Sequence, residues 1–198
     1  MTSIIRLATK KDAAQVQAIY SPVVSQTTAS FELEPPSVAE MRKRISTTLL
    51  AYPWLVCERK GEVLGYVYAR PFRTRPAYQW SVETSVYVHP ELRRSGIGRA
   101  LYTSLLKCLA LQGYYNAYAG ITLPNQPSVG LHEALGFRSV GVYREAGFKM
   151  GAWHDVGWWQ IGLQPKTGSP KPPLGLKAAQ ELDGWQAALS AGEGLLQI

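Results

Sequence analysis

A glycine-rich turn flanked by arginines is the segment of this sequence best suited to binding an anion. A strand-like run, Ser85–Val88, precedes it and a helical pattern follows. The turn consists of Arg93, Arg94, Ser95, Gly96, Ile97, Gly98 and Arg99. Glycines let the backbone approach a ligand closely, and unpaired amides at a helix start point toward negative charge. The turn therefore suits a pyrophosphate, although an ordinary strand-to-helix turn also fits these residues.

Two common nucleotide-binding motifs do not fit this turn. The dinucleotide pattern G-x-G-x-x-G is incomplete, and the preceding strands lack the spacing of a strand–helix–strand unit. A P-loop is excluded because no Gly-Lys-Ser/Thr follows the glycines.

Composition limits the classes of partner. The chain carries 21 Lys and Arg against 14 Asp and Glu, a formal net charge of +7, which favours anionic partners. A nucleic-acid binder would mass its basic residues on one element, whereas here they are scattered apart from Arg93–Arg99 and Arg70–Arg75. We therefore expect two local anion sites and no nucleic-acid partner. The cysteines and histidines lack metal-ligand spacing, so no metal is expected.

The order of predicted elements indicates the fold that positions these residues. Apolar residues at helical spacing follow capping patterns at Thr9 and Ser37, with residues 21–36 predicted as a loop between the two helices. Strand patterns cover residues 3–7, 54–59, 63–69, 80–88, 115–121, 140–143 and 153–163, and further helices follow the glycine-rich turn and cover 125–135. This order predicts an α+β fold, a mixed, mainly antiparallel twisted sheet with helices on both faces.

The composition changes at Pro165. Residues 165–174 resemble a linker, and beyond them the apolar residues Leu174, Ala178, Leu182, Trp185 and Leu189 share one helical face. We predict a domain over 1–164, and a linker with one appended amphipathic helix over 165–198.

The sequence favours a cytoplasmic protein without a membrane span. No apolar run approaches the ~18 to 20 residues that a span requires. The first residues lack the pattern of a signal peptide. Cys57 and Cys108 are expected to be free, buried thiols, as in a reducing compartment.

At the glycine-rich turn the sequence resembles the GNAT superfamily of acetyl-CoA-dependent N-acetyltransferases. The acyl-CoA turn of that family has the pattern Q/R-x-x-G-x-G/A, which Arg93, Gly96 and Gly98 match. Three further segments are similar to the phosphinothricin acetyltransferase branch: Trp80–Val88, Asn125–Phe137 and Gly151–Gly157. The resemblance covers roughly residues 3 to 164 and implies acetyl-CoA as cosubstrate. It also implies that the backbone at Val86, Val88 and the turn holds the pantetheine and pyrophosphate, and that Asn125 and Ser128 contact the pantetheine arm.

The resemblance suggests two catalytic residues. Glu83 matches the family glutamate in Val-Glu-x-x-Val-Tyr-Val, and a carboxylate near the acceptor can remove a proton from its ammonium group. His132 occupies the place where many GNAT enzymes carry a tyrosine that protonates the leaving thiolate. Tyr102, on the helix after the turn, is a second candidate donor. Structural roles remain open for all three.

The acceptor site is expected around the segment that enters the catalytic strand. Guanidinium groups at Arg73 and Arg75 can pair bidentately with a carboxylate or phosphinate. The resemblance gives Arg75, Tyr78 and Phe31 substrate roles. His154 either reaches the site from the last hairpin or bonds to Asp155. Two departures, Pro76 and Gln79, bear on the identity of the acceptor.

The sequence predicts acetylation of a small, anionic amino-acid-like amine, of the phosphinothricin, methionine sulfoximine or methionine sulfone type. Transfer is expected to be direct, in a ternary complex, because no cysteine is placed to carry the acetyl group. The alternatives are a different amine (a polyamine, an aminoglycoside or a peptide N-terminus) and a non-catalytic acyl-CoA-binding or nucleic-acid-binding module. The resemblance also implies a homodimer.

Overall fold

A computed structural model of the chain describes residues 3–166 and 168–198. The strands are β1 (Ile4–Leu7), β2 (Trp54–Arg59), β3 (Glu62–Pro71), β4 (Ser81–Val88), β5 (Asn116–Leu123), β6 (Arg138–Lys149) and β7 (Ala152–Gly162). The α-helices are α1 (Ala13–Gln26), α2 (Val38–Thr48), α3 (Ile97–Gln112), α4 (Gln126–Ala134), α5 (Leu176–Gln180) and α6 (Trp185–Ser190).

One seven-stranded sheet runs in the order β1-β2-β3-β4-β5-β7-β6. Every neighbouring pair is antiparallel except β4 and β5, which are parallel. The predicted mixed, mainly antiparallel α+β fold is therefore confirmed.

Helices cover both faces of this sheet. Successive side chains of a strand point to opposite faces, and β2 shows the result. Trp54 and Val56 pack with α1 and α2, whereas Leu55 and Cys57 pack with α3 and the C-terminal helices. Residues that bear side chains on the α1–α2 face of β4 and β5 are therefore separated from the larger core beneath α3.

Local sequence signals set the starts of the first two helices and the turn between β2 and β3. The Thr9 side chain and Asp12 form a capping box, and Ser37 Oγ accepts from Glu40 N (3.1 Å) at the start of α2. Left-handed backbone at Lys60 (φ 54°) and Gly61 (φ 81°) makes the tight turn between β2 and β3.

The prediction of a loop over residues 21–36 is wrong at its start. Helix α1 continues through Pro22 to Gln26. Proline removes one backbone donor, but Tyr20 and Val24 on either side of it are buried against α2 and the sheet. Tertiary burial thus outweighs the local break signal.

The prediction of a single C-terminal helix is also wrong, because the structure has two short helices there, α5 and α6. Gly184 adopts left-handed backbone (φ 88°) and separates α5 from α6. The two helices bury different faces from the predicted one: Leu176 and Ala179 of α5, and Trp185 and Leu189 of α6, join the core. The other members of the predicted apolar face are exposed: Leu174, Ala178 and Leu182. The predicted division between 1–164 and 165–198 stays a prediction. No helix within residues 3–166 and 168–198 has the length and apolar character needed to cross a membrane.

Candidate active site

The glycine-rich turn connects β4 to α3. The backbone is left-handed at Arg94 (φ 65°) and again at Gly96 (φ 81°), the residue that precedes α3. The first helical bond runs from Ala100 N to Gly96 O (2.9 Å). The amides of residues 97–99 therefore have no partner inside the helix and are available to a ligand.

Positive charge surrounds these amides. Arg93, Arg94 and Arg99 are exposed, and none of them forms an ion pair within the described part of the chain. A Cβ at Gly98 would lie 3.2 Å from Leu131 Cδ2, so the absence of a side chain lets α4 pack beside the start of α3. The arrangement suits an anion such as a pyrophosphate.

A gap between β4 and β5 begins beside this turn. The two strands pair only from Ser81 to Glu83 on β4, opposite Asn116 to Tyr118 on β5. Beyond Glu83 they separate, although β4 continues to Val88 and β5 to Leu123. Within the described residues, the edge of β4 that faces β5 has no strand partner over this stretch, which includes Val86 and Val88. Unpaired backbone groups of this kind can bond to a ligand.

Helix α4 begins where β5 ends, next to the gap. Asn125 Oδ1 accepts from Ser128 N (3.2 Å) and caps the helix. The structure therefore brings the two predicted pantetheine contacts together at the border of the gap.

Glu83 lies at the point where β4 and β5 separate. Its neighbours across the sheet are Arg70 on β3 and Tyr118 on β5. The carboxylate forms an ion pair with the Arg70 guanidinium, and its side chain is 13% exposed against 54% for Arg70. Burial opposes the charge of Arg70, but the bond to Glu83 outweighs it and raises the pKa of the guanidinium. Because Val82 packs beneath α3, Glu83 points to the opposite, α1–α2 face.

A buried chain of hydrogen bonds lies beneath the gap. Tyr102 Oη is 2.8 Å from His132 Nε2 and 3.2 Å from Thr84 Oγ1, and His132 Nδ1 is 2.7 Å from Ser128 O. Since a carbonyl only accepts, Nδ1 carries the ring proton and Nε2 accepts from the Tyr102 hydroxyl. His132 therefore joins α4 to α3 and, through Tyr102, to β4.

Burial keeps both rings of this chain neutral. It lowers the pKa of His132, against the opposing effect of the Ser128 carbonyl, and it raises the pKa of Tyr102. The predicted proton transfer from His132 stays a prediction. The geometry gives the ring a second role, the positioning of Tyr102.

An aromatic cluster adjoins Glu83 on the α1–α2 face and consists of Phe72, Tyr118 and Trp158. Phe72 stacks on Tyr118 with ring centroids 4.1 Å apart. The Arg73 guanidinium lies 4.2 Å from the Phe72 centroid and 5.5 Å from that of Trp158. Tyr78 contacts the edge of the cluster, 5.8 Å from Phe72. Two of the predicted substrate residues are thus near the candidate base.

Arg75 occupies the turn between Arg73 and Tyr78. It precedes a short 3-10 helix, Pro76–Tyr78, which Pro76 opens. The Arg75 side chain is exposed. The departure at Pro76 therefore shapes this turn, as its fixed φ predicts.

Phe31 and His154 meet at the β6–β7 hairpin. The Phe31 ring occupies the space where a Cβ at Gly147 would lie (2.2 Å from Phe31 Cε2), and its centroid is 6.4 Å from His154. His154 Nε2 is 2.9 Å from Lys149 O. The alternative in which His154 bonds to Asp155 is wrong, since Asp155 Oδ2 instead accepts from Arg144 Nη1 (2.6 Å).

Lys149 fixes this side of the site. Its buried amine donates to Val24 O (2.6 Å) and Ser30 O (2.7 Å), which ties the β6–β7 hairpin to the segment that carries Phe31. Burial lowers the pKa of the amine, although Glu32 opposes that effect.

A cavity of about 490 Å³ opens beside Arg70 on the α1–α2 face. Tyr20, Arg44 and Tyr68 are among its lining residues. Arg44 pairs bidentately with Glu32 (2.7 and 3.1 Å), so the positive charge of this lining residue is already compensated by a carboxylate.

Sequence reasoning missed Lys149 and the aromatic cluster as parts of the site, and it counted Arg70 with a local anion site without predicting its pairing with Glu83. Tyr118 and Trp158 had a detectable signal, because both alternate with residues buried beneath α3 on their strands. Lys149 and the Arg70–Glu83 pair had none, since the partners lie on different elements.

Two further kinds of catalytic group bear on the reactions available: a cysteine nucleophile and a cluster of metal ligands. Burial raises the pKa of Cys57 to about 11 and that of Cys108 to about 12, so neither thiol is a ready nucleophile. Over residues 3–166 and 168–198 no cluster of three or more His, Cys, Asp or Glu is arranged to hold a metal ion.

Comparison with known proteins matches this chain to one family. The family model described as an acetyltransferase (GNAT) domain matches residues 5–158. A phosphinothricin N-acetyltransferase of Streptomyces viridochromogenes is 42% identical over 178 residues, which cover 90% of this chain and 95% of that protein. An L-methionine sulfoximine/L-methionine sulfone acetyltransferase of Pseudomonas aeruginosa is 34% identical over 172 residues, covering 86% of this chain and all of that protein.

A solved structure agrees in fold. The GNAT superfamily phosphinothricin acetyltransferase from Sinorhizobium meliloti, in complex with acetyl-CoA, superposes with a TM-score of 0.80 at 37% identity, over 87% of this chain and 97% of that one. The family match, the relatives and the shared fold show that this chain belongs to the GNAT family and is an acetyl-CoA-dependent N-acetyltransferase.

Proposed function

We propose that this enzyme acetylates the amine of a small, anionic amino-acid-like molecule of the phosphinothricin, methionine sulfoximine or methionine sulfone type. The observation that carries the proposal is the position of Glu83. Its carboxylate lies where β4 and β5 separate, on the face that also bears Arg73 and Tyr78. The names of the relatives support the same substrate class.

The residues present fit acetyl-CoA. We assign the pyrophosphate to the glycine-rich turn, where left-handed backbone, free amides and three unpaired arginines converge. The pantetheine arm fits the gap, between the unpaired edge of β4 at Val86 and Val88 and the start of α4 at Asn125 and Ser128.

Bound acetyl-CoA supplies a thioester carbonyl open to attack by an amine. Glu83 accepts a proton from the ammonium group of the acceptor, directly or through one water, because only the neutral amine has a lone pair for attack. The acceptor amine attacks the thioester carbonyl directly in a ternary complex, since both thiols are buried and protonated. The bond between the carbonyl carbon and sulfur breaks, and coenzyme A leaves as a thiolate that takes up the second proton lost by the nitrogen. His132 positions Tyr102 and the start of α4 beneath the gap.

Cationic groups orient the acceptor. Arg73 and Arg75 lie in the turn that enters β4, where a guanidinium can hold the carboxylate or phosphinate of an amino-acid analogue. Tyr78 contacts the same turn, while Phe31 and His154 form the opposite wall. A polyamine or aminoglycoside would meet like charge at this entrance.

We further propose a cytoplasmic homodimer. Two free thiols, Cys57 and Cys108, suit a reducing compartment. Strand β6 forms an edge of the sheet, and Val140, Tyr143 and the neighbouring Trp153 expose apolar side chains there. A second copy of this surface can pair with it antiparallel. Light scattering should give twice the monomer mass, and Tyr143→Asp should lower it; a monomer at all concentrations would contradict the proposal.

Release of free thiol from acetyl-CoA tests the function. The acceptor panel contains phosphinothricin, methionine sulfoximine, methionine sulfone, unmodified amino acids, a polyamine and an aminoglycoside. We expect turnover with the anionic analogues, and weaker turnover with them in Arg73→Gln and Arg75→Gln variants. Preferential turnover of the polyamine or aminoglycoside would refute the proposed substrate class.

A further inference from the structure

The C-terminal segment, residues 192–198, reaches the glycine-rich turn. It is anchored first at two distant elements. Gly192 N donates to Ser104 Oγ on α3 (3.0 Å, buried), and Glu193 Oε1 accepts from Ile5 N on β1 (2.8 Å). From these anchors the chain continues to the turn, where Gln197 N donates to Ser95 O (3.0 Å).

The backbones approach closely at both ends of this contact. A Cβ at Gly192 would lie 1.9 Å from Ala100 O, and a Cβ at Gly96 would lie 2.3 Å from Leu195 O. Neither site has room for a side chain. The segment therefore lies directly against the first turn of α3 and against the residue that precedes it.

The glycine-rich turn needs such support. Left-handed backbone is sparsely populated for a residue with a side chain, and Arg94 adopts it (φ 65°). Such conformations persist where the surroundings fix them. Ser95 Oγ, which donates to Leu92 O (2.6 Å), fixes the turn from within, and the Gln197 amide fixes it from outside.

We propose that residues 192–198 are a positioning element of the acetyl-CoA site. They hold Ser95 and Gly96 in the shape that presents the amides and arginines of the turn to the pyrophosphate. A loop that is already ordered loses less conformational freedom on binding, so the support appears as cofactor affinity. The inference rests on the proposed assignment of the pyrophosphate to this turn, and the segment lies beyond the family match, which ends at residue 158.

A matched pair of substitutions at one position tests the proposal. Gln197→Pro deletes the backbone donor, whereas Gln197→Ala keeps it and removes only an exposed side chain. Leu196 already has the extended backbone (ψ 125°) that a following proline requires. Calorimetric titration with acetyl-CoA should show about fivefold weaker binding for Gln197→Pro, roughly the effect of one hydrogen bond. Gln197→Ala should bind like the wild type.

Kinetics separate positioning from general damage. For Gln197→Pro we expect a raised KM for acetyl-CoA, with kcat and the acceptor KM unchanged at saturating acetyl-CoA. A second pair covers the case in which the proline variant does not fold: Gly192→Ala meets Ala100 O, whereas Gly194→Ala meets nothing within 4 Å. Weaker acetyl-CoA binding in Gly192→Ala alone supports the proposal.

The double variant Arg93→Ala/Arg99→Ala identifies which idea fails. If it binds acetyl-CoA like the wild type, the pyrophosphate assignment is wrong and the inference falls with it. If it binds weakly while Gln197→Pro and Gly192→Ala fold and bind normally, the supporting role of the C-terminal segment alone is refuted.

Discussion

Glu83→Gln is the substitution that most directly tests the chemistry. Glutamine keeps the shape of the side chain and an oxygen that can accept from Arg70, but it cannot take a proton from the acceptor. Loss of a general base lowers turnover by about 100- to 10,000-fold, or roughly 3 to 5 kcal/mol of barrier. We expect kcat to fall within that range.

The structure predicts a small effect of the same change on stability. The Arg70 side chain is 54% exposed, so water already screens its pair with Glu83. An ion pair with one exposed partner contributes about 1 kcal/mol or less. The unfolding midpoint of Glu83→Gln should therefore stay close to that of the wild type, and its affinity for acetyl-CoA should be nearly unchanged.

Arg70→Gln is the matched control, because it removes the same ion pair and leaves the carboxylate in place. Thiol release at saturating acceptor, with calorimetric titration of acetyl-CoA, measures both variants. We expect Arg70→Gln to retain most of the turnover that Glu83→Gln loses. Equal losses of kcat in the two variants, or an equal loss of turnover and acetyl-CoA affinity in Glu83→Gln, would refute the assignment of Glu83 as the base.

Three further outcomes are expected from buried groups. Burial lowers the pKa of His132, so its ring gains a proton on unfolding at acid pH. The free energy of unfolding of the wild type should therefore fall as pH falls below 6.5, the ordinary pKa of histidine. Urea unfolding at pH 7.5 and 5.5 should show a smaller loss for His132→Gln. Although burial opposes it, bonds to Arg6 and Thr9 lower the pKa of Asp12. Asp12→Asn should lower the free energy of unfolding by about 2 kcal/mol at pH 7. This difference from the wild type should shrink as pH falls below 3.8, because the wild-type carboxyl then also takes up a proton. A folded Cys57→Ala/Cys108→Ala variant should keep its turnover and give intersecting initial-velocity lines, whereas parallel lines would indicate an acetyl-enzyme.

Elements with strong local signals were predictable from the sequence. Gly61 favours the left-handed backbone of a tight turn between two strands, and Gly96 and Gly113 mark the ends of α3 through their own backbone preferences. The order of the predicted elements indicated the mixed, mainly antiparallel sheet, and the family resemblance added the cosubstrate and the candidate site residues.

Features that depend on distant contacts were not predictable in this way. Pro22 locally favours the end of a helix, yet burial of its neighbours keeps α1 helical. The partnership of Arg70 with Glu83 depends on the β3–β4 register. The contact between Gln197 and Ser95 joins residues that lie about half the chain apart in the sequence, and no periodicity encodes it.

The short pairing of β4 with β5 has a mechanical consequence. Within the described residues, strand pairing joins β1–β4 to β5–β7 through three residue pairs, so the junction between β4 and β5 divides the sheet into two halves. Strand pairing within each half is longer, and the core beneath α3 contains buried residues of both halves. A cosubstrate bound in the gap between β4 and β5 would contact both halves and stabilise their junction. Amide hydrogen exchange along Thr84–Val88 should therefore slow when acetyl-CoA is added, while exchange at β2 changes little.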